Sequence, residues 1–188
     1  MEVNKTVVGN YSENCYLIEK NGIGLIVDPG DEIDKIMNMI GDTKIVGILI
    51  THAHFDHIGA LDDLVKKIDV PIYYHNINNE LNYKKLINLE EKEYKINNFN
   101  FKVIYTKGHR NDSVTFYFYE DEIMFTGDFL FYLSIGRTDL EYGDFNDMIR
   151  SIKLIKTYND NIKVYPGHSS STTLGFEKKY NEYLLNYN

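Results

Sequence analysis

Cysteine is almost missing from this chain. Cys15 is the single one in 188 residues, so no intrachain disulfide can form. A chain of this length buries roughly 70% of its unfolded surface and needs no such staple. The expectation is one domain over residues 1–188, residing in the cytoplasm. Cys15 lies in the strand-like run Asn14-Cys15-Tyr16-Leu17-Ile18 and reads as a small buried hydrophobe rather than a nucleophile. No apolar run approaches the length needed to cross a membrane. Met1-Glu2-Val3-Asn4-Lys5 lacks the basic-then-apolar order of a signal peptide. Tryptophan is absent, and 16 tyrosines and 10 phenylalanines take its place in the expected core. Positive charge is short: 20 Lys and Arg stand against 28 Asp and Glu, a net charge of −8. That balance argues against nucleic acid as a partner.

Histidine, by contrast, is concentrated. Three of the six histidines fall in Thr51-His52-Ala53-His54-Phe55-Asp56-His57. A short apolar run, Ile45 to Ile50, precedes this stretch and reads as a buried strand. Apolar residues at 58, 61, 64, 65 and 68 follow it at helical spacing. The motif thus sits where a strand ends and a helix begins, the place where open α/β sheets keep their chemistry. In extended chain His52, His54 and Asp56 share one side and His57 turns away as the helix starts. One loop can so feed two adjacent metal sites, with a donor set suited to zinc, iron or manganese.

The rest of the chain alternates strands and helices. Strands are expected over 3–8, 14–20, 23–27, 44–50, 70–75, 94–106 (divided at Asn97-Asn98), 114–119, 123–126 and 162–165. Helices are expected over 31–40, capped by Asp31, over 57–68, over 144–158, capped by Asp144, and from Thr173 onward. Residues 77–93 read as a helix plus loop and 131–143 as a loop. Asp28, in the strand-ending turn Asp28-Pro29-Gly30, reads equally as a turn former or as a hydrogen-bond partner of a metal ligand. Three more strand ends carry metal-competent side chains behind a glycine: Gly108-His109, Gly127-Asp128 and Gly167-His168. His75 lies outside every motif and reads as a strand-end or core residue.

With these motifs in this order, the chain resembles the metallo-β-lactamase superfamily, and within it the glyoxalase II-like hydrolases. The resemblance rests on H-x-H-x-D-H, Thr126-Gly127-Asp128, Ser134-Ile135-Gly136-Arg137-Thr138-Asp139, Pro166-Gly167-His168 and Thr172-Thr173-Leu174-Gly175. It implies an α/β fold, a four-layer αββα sandwich with a dinuclear centre of two divalent ions, zinc first and iron or manganese as alternatives. Carried over, His52, His54 and His109 hold one metal, Asp56, His57 and His168 the other, and Asp128 bridges them. Asp56 also orients the nucleophile, and Thr51 and Asp28 support the ligands. Arg137 corresponds to a basic position near the site and is expected to bind an anionic group of the substrate; Tyr142 and Tyr132 are expected at the pocket.

The implied reaction is hydrolysis of a small acyl thioester such as a hydroxyacylglutathione. Arg110-Asn111, Ala60 and Ser169-Ser170 depart from the family pattern around the mouth of the site. The C-terminal helical domain of the larger glyoxalase II enzymes is not expected here. Alternatives on the same scaffold are a persulfide dioxygenase with one iron on His52, His109 and Asp128, a phosphodiesterase, and a non-catalytic metal-binding module.

Overall fold

Alternation along the strands decides the layers. In the strand Glu13–Lys20, Cys15 and Leu17 face one way, and Tyr16 and Ile18 face the other. All four are buried. A strand buried on both faces must be sandwiched, and the computed structural model, which describes residues 1–187, shows how.

Six strands form the first sheet in sequence order: β1 (Glu2–Val8), β2 (Glu13–Lys20), β3 (Ile23–Val27), β4 (Lys44–Leu49), β5 (Ile72–Tyr74) and β6 (Leu86–Asn88). The first three are antiparallel neighbours; from β3 onward the pairing is parallel. The second sheet contains β7 (Glu93–Ile96), β8 (Phe99–Tyr105), β9 (Val114–Phe118), β10 (Ile123–Gly127), β13 (Lys163–Pro166) and β14 (Thr172–Thr173), in the order β14-β13-β10-β9-β8-β7. Between the sheets lie Tyr16, Ile18, Leu25, Val27 and Leu49 from one and Phe99, Phe101, Phe116, Phe118 and Phe125 from the other. Tyrosine and phenylalanine thus fill this layer, as the missing tryptophan suggested.

Helices cover both outer faces. α1 (Ile33–Ile40) and α3 (Leu61–Lys67) pack Ile36, Ile40, Leu61 and Leu64 against the first sheet. Cys15 is fully buried in that layer. On the other side α4 (Phe145–Ile155), α5 (Leu174–Tyr180) and α6 (Glu182–Asn186) bring Met148, Ile152, Ile155, Leu174 and Leu184 onto Ile104, Met124 and Val164. The result is the expected αββα sandwich.

Local details differ from the sequence reading. The 57–68 helix is two pieces, α2 (Phe55–Ile58) and α3, broken at Gly59-Ala60. Glu32, not Asp31, holds the cap position of α1, and it does so without a side-chain cap bond. Asp144 does cap α4, accepting from the Asp147 N–H. Residues 77–93 form no helix. Asparagine side chains bind the backbone there instead: Asn76 takes both the N–H and the C=O of Leu81, and Asn88 takes the Asn76 N–H. The chain then leaves as β6. Within 131–143 the loop begins with a two-strand ribbon, β11 (Leu130–Phe131) with β12 (Ser134–Ile135).

Candidate metal centre

The loops that follow β3, β4, β8, β10 and β13 deliver Asp28, the 52–57 motif, His109, Asp128 and His168 to one edge of the sandwich. Two glycines make the approach possible. Gly108 has φ +140°, and a side chain there would strike the Met148 backbone of α4. A Cβ at Gly167 would run into Asp128 Oδ1 and the His57 ring.

Donor atoms gather in two clusters. In the first, His54 Nδ1 lies 3.1 Å from His52 Nε2 and 2.8 Å from His109 Nε2. In the second, Asp56 Oδ2 lies 3.3 Å from His168 Nε2, with His57 completing the set. Asp128 stands between them. Its Oδ2 is 3.5 Å from both His109 Nε2 and His168 Nε2 and 4.0 Å from His52 Nε2; its Oδ1 is 3.2 Å from His57 Nε2.

Neighbouring groups fix the imidazole tautomers. The Thr51 hydroxyl donates to Asp28 Oδ2 at 2.6 Å, so its remaining contact, with His52 Nδ1 at 3.1 Å, must take the histidine proton. His57 Nδ1 donates to Asp28 Oδ2 at 3.0 Å, His109 Nδ1 to the Arg137 carbonyl at 2.7 Å, and His168 Nδ1 to the Tyr11 carbonyl at 3.1 Å. Four rings therefore turn Nε2 toward the cluster, the atom that a cation would bind. His57 Nε2 and Asp128 Oδ1 are buried, lie 3.2 Å from each other outside hydrogen-bond geometry and have no other partner. Leaving such atoms unpaired is costly, and a divalent cation between the clusters would satisfy them. The residues present fit a metal.

In the metal-free protein the electrostatics divide the rings. Burial lowers the pKa of His52, His54 and His109, that of His54 to about 4, so these rings are neutral lone-pair donors. Burial pulls His57 and His168 the same way, but their carboxylate neighbours outweigh it, and His168 rises to about 9. Asp128 is held well below the usual carboxylate range; burial opposes this, and His57 and His168 prevail.

The extended-chain rule misplaced His57. Its ring does not turn away but lies 4.1 Å from that of His52, centroid to centroid. The chain is already helical from Phe55, so Asp56 and His57 follow helical spacing rather than alternation. Asp28 proves to be both of its readings. It adopts φ +49° where the chain leaves β3, and it accepts from the Thr51 N–H, the Thr51 hydroxyl and His57.

A cavity of about 340 Å³ opens over the clusters, lined by Tyr11, His54, Phe55, Asp56, His109, Asp128, Arg137, Leu140 and His168. Arg137 reaches this cleft as expected, but its guanidinium is bound to Asp139. Tyr142 lies outside the lining, with Arg110 over its ring at 5.2 Å. Tyr132 stacks on Phe176 instead. His75 stacks on Tyr105, apart from the clusters.

Three neighbours of the centre lie outside every motif. Asp112 is fully buried and accepts from the Ala53 N–H at 3.0 Å, from the Tyr74 hydroxyl at 2.5 Å and from Arg110. It thereby pins the backbone between His52 and His54. Glu13 is buried 3.9 Å from His57 Nδ1 with both oxygens unpaired, and burial pushes its pKa well up. Tyr11 holds His168 through its carbonyl. Asp112 and Tyr11 act across 59 and 157 residues of sequence, which no local pattern encodes.

The family model of the metallo-beta-lactamase superfamily matches residues 8–168. The hydroxyacylglutathione hydrolase GloC of Haemophilus influenzae is 32% identical over 210 residues, covering 98% of each chain. Among solved structures, TTHA1623 in a di-iron-bound form superposes with a TM-score of 0.86 at 33% identity, over 96% of this chain and 99% of that one. ETHE1 from Myxococcus xanthus gives a TM-score of 0.86 at 26% identity, over 97% of this chain and 84% of that one.

Proposed function

Since the chain belongs to the metallo-beta-lactamase superfamily and is a metal-dependent hydrolase of that kind, we propose that it cleaves an acyl thioester at a dinuclear centre. The observation that carries this reading is the pair of donor clusters facing each other across Asp128. His52, His54 and His109 would hold one ion and Asp56, His57 and His168 the other, with Asp128 between the two sets. Two divalent ions, zinc first and iron or manganese as alternatives, would supply Lewis-acid activation of water and of the substrate carbonyl when bound.

The protein's own part is orientation. Asp56 is half-buried on the cleft wall, and its carboxyl is held below its usual range; burial opposes this, and the bond to His168 wins. It accepts a hydrogen bond from the attacking water and aims it at the carbonyl. Among the described residues that line the cleft, none is serine, threonine, cysteine or lysine. Cys15 lies in the helix-covered layer on the far face of its strand. Water is thus the nucleophile that this lining favours. The similarity to a hydroxyacylglutathione hydrolase supports a thioester as the substrate class. The second cluster, with its unpaired His57 Nε2, favours two ions over the single-iron dioxygenase arrangement.

The test is steady-state hydrolysis of S-D-lactoylglutathione by metal-quantified protein. About two ions per chain and turnover of about ten per second or more are expected. No turnover with both ions bound would sink glutathione thioesters as substrates.

A further inference from the structure

The mouth of the cleft contains one cation, and that cation is already engaged. Among the described residues lining the cavity, Arg137 alone carries permanent positive charge. Its Nε and Nη2 donate in parallel to Asp139 Oδ1 and Oδ2 at 2.7 and 2.8 Å. Both side chains are exposed, and the pairing holds the Asp139 carboxyl at about 2. Arg110, the next arginine along, is buried against Asp112 and Glu80 and presents nothing to the cleft.

The rest of the rim is apolar. Tyr11, Phe55 and Leu140 are all exposed large side chains on the cavity wall, and the Tyr11 and Phe55 rings meet edge to face at 5.2 Å. A neutral thiol carrier can lie on this surface without disturbing any ion pair. A carrier bearing carboxylates must take Arg137 from Asp139, exchanging one bidentate partner for another with no net gain in charge pairing.

We propose that Asp139 is a specificity-determining residue: by occupying Arg137 it biases the cleft toward thioesters whose thiol carrier is uncharged. The inference rests on the thioesterase reading above. Because the pair is exposed and screened, its effect is a modest factor in KM rather than an all-or-none gate.

The experiment compares two lactoyl thioesters with the same acyl group, one on glutathione and one on N-acetylcysteamine, using the metal-loaded enzyme and its Asp139→Asn variant. The expected result is a KM for the glutathione ester lower by about 3–5-fold in Asp139→Asn, with its kcat and both constants for the neutral ester unmoved. The gain should vanish in the Asp139→Asn, Arg137→Ala double variant and shrink in high salt. Equal shifts for both esters, or no shift for the glutathione ester, overturn the role of Asp139 while leaving the thioesterase intact. Failure of the wild-type enzyme to turn over either ester overturns the thioesterase reading and this inference with it.

Discussion

His57 and Asp28 meet at 3.0 Å through Nδ1 and Oδ2, and the same carboxylate oxygen takes the Thr51 hydroxyl at 2.6 Å. One buried aspartate therefore orients two histidines of the centre. It fixes His57 directly, and it fixes His52 by leaving the Thr51 oxygen free to accept. Asp28→Asn replaces one acceptor oxygen with a donor that opposes the His57 proton. Metal affinity should fall by about 10–100-fold, with far-ultraviolet circular dichroism unchanged. Titration against a competing chelator measures it. Unaltered affinity would show that neither ring depends on Asp28.

The metal-free protein should have a distinctive pH profile. The carboxylates raise His168, to about 9, and His57 as well, against the opposing pull of burial. Groups raised above an unfolded value of about 6.5 stabilise the fold fully below that pH, and the contribution is lost as pH rises through the folded pKa. His52 and His54, lowered by burial, have the opposite sign: the unfolded chain takes up their protons first, so stability falls below about pH 6.5. Asp128, depressed, adds stability that is lost only in stronger acid. Thermal midpoints of chelator-treated protein should peak near about pH 6.5 and decline toward pH 9. A midpoint that climbs steadily from pH 7 to pH 9 would contradict the charge assignment.

Removing Asp112 should destabilise the fold and loosen the centre together. The alanine variant leaves the Arg110 guanidinium buried with one fewer carboxylate and strips the Ala53 N–H and Tyr74 hydroxyl of their acceptor. Breaking a buried charge pair from one side costs about 3–5 kcal/mol, to be read from denaturant unfolding. Because the Ala53 N–H lies between His52 and His54, metal affinity should drop as well. Loss of stability with unchanged affinity would confine Asp112 to a packing role.

The metal motif was legible because its chemistry is local. Four donors within His52 to His57 stand out against six histidines in the whole chain, and glycines before His109, Asp128 and His168 mark strand ends. The sandwich was legible only through the family resemblance that the same motifs carry; its physical basis, Cys15 and Leu17 of β2 facing one layer and Tyr16 and Ile18 the other, is visible in the structure. What escaped reading depends on contacts across the fold. The path of residues 77–93 is set by Asn76 and Asn88 seizing backbone groups, which hydrophobic periodicity cannot register. Tyr142 could not be excluded from the cleft without knowing that it lies beneath Arg110.

Gly167→Ala offers a test of how closely the backbone must approach the ions. The added methyl meets Asp128 Oδ1 and the His57 ring, both buried and both at the junction of the two clusters. Neither can yield without moving a donor atom, so metal content should fall and activity with it. Gly22→Ala is the matched control: Gly22 has φ +74° but nothing within 4 Å of the new methyl. The strain of a left-handed alanine costs about 1–2 kcal/mol, visible in the thermal midpoint, while metal content stays whole. If both variants lose stability alike and both retain full metal, the close approach at Gly167 has no bearing on the centre.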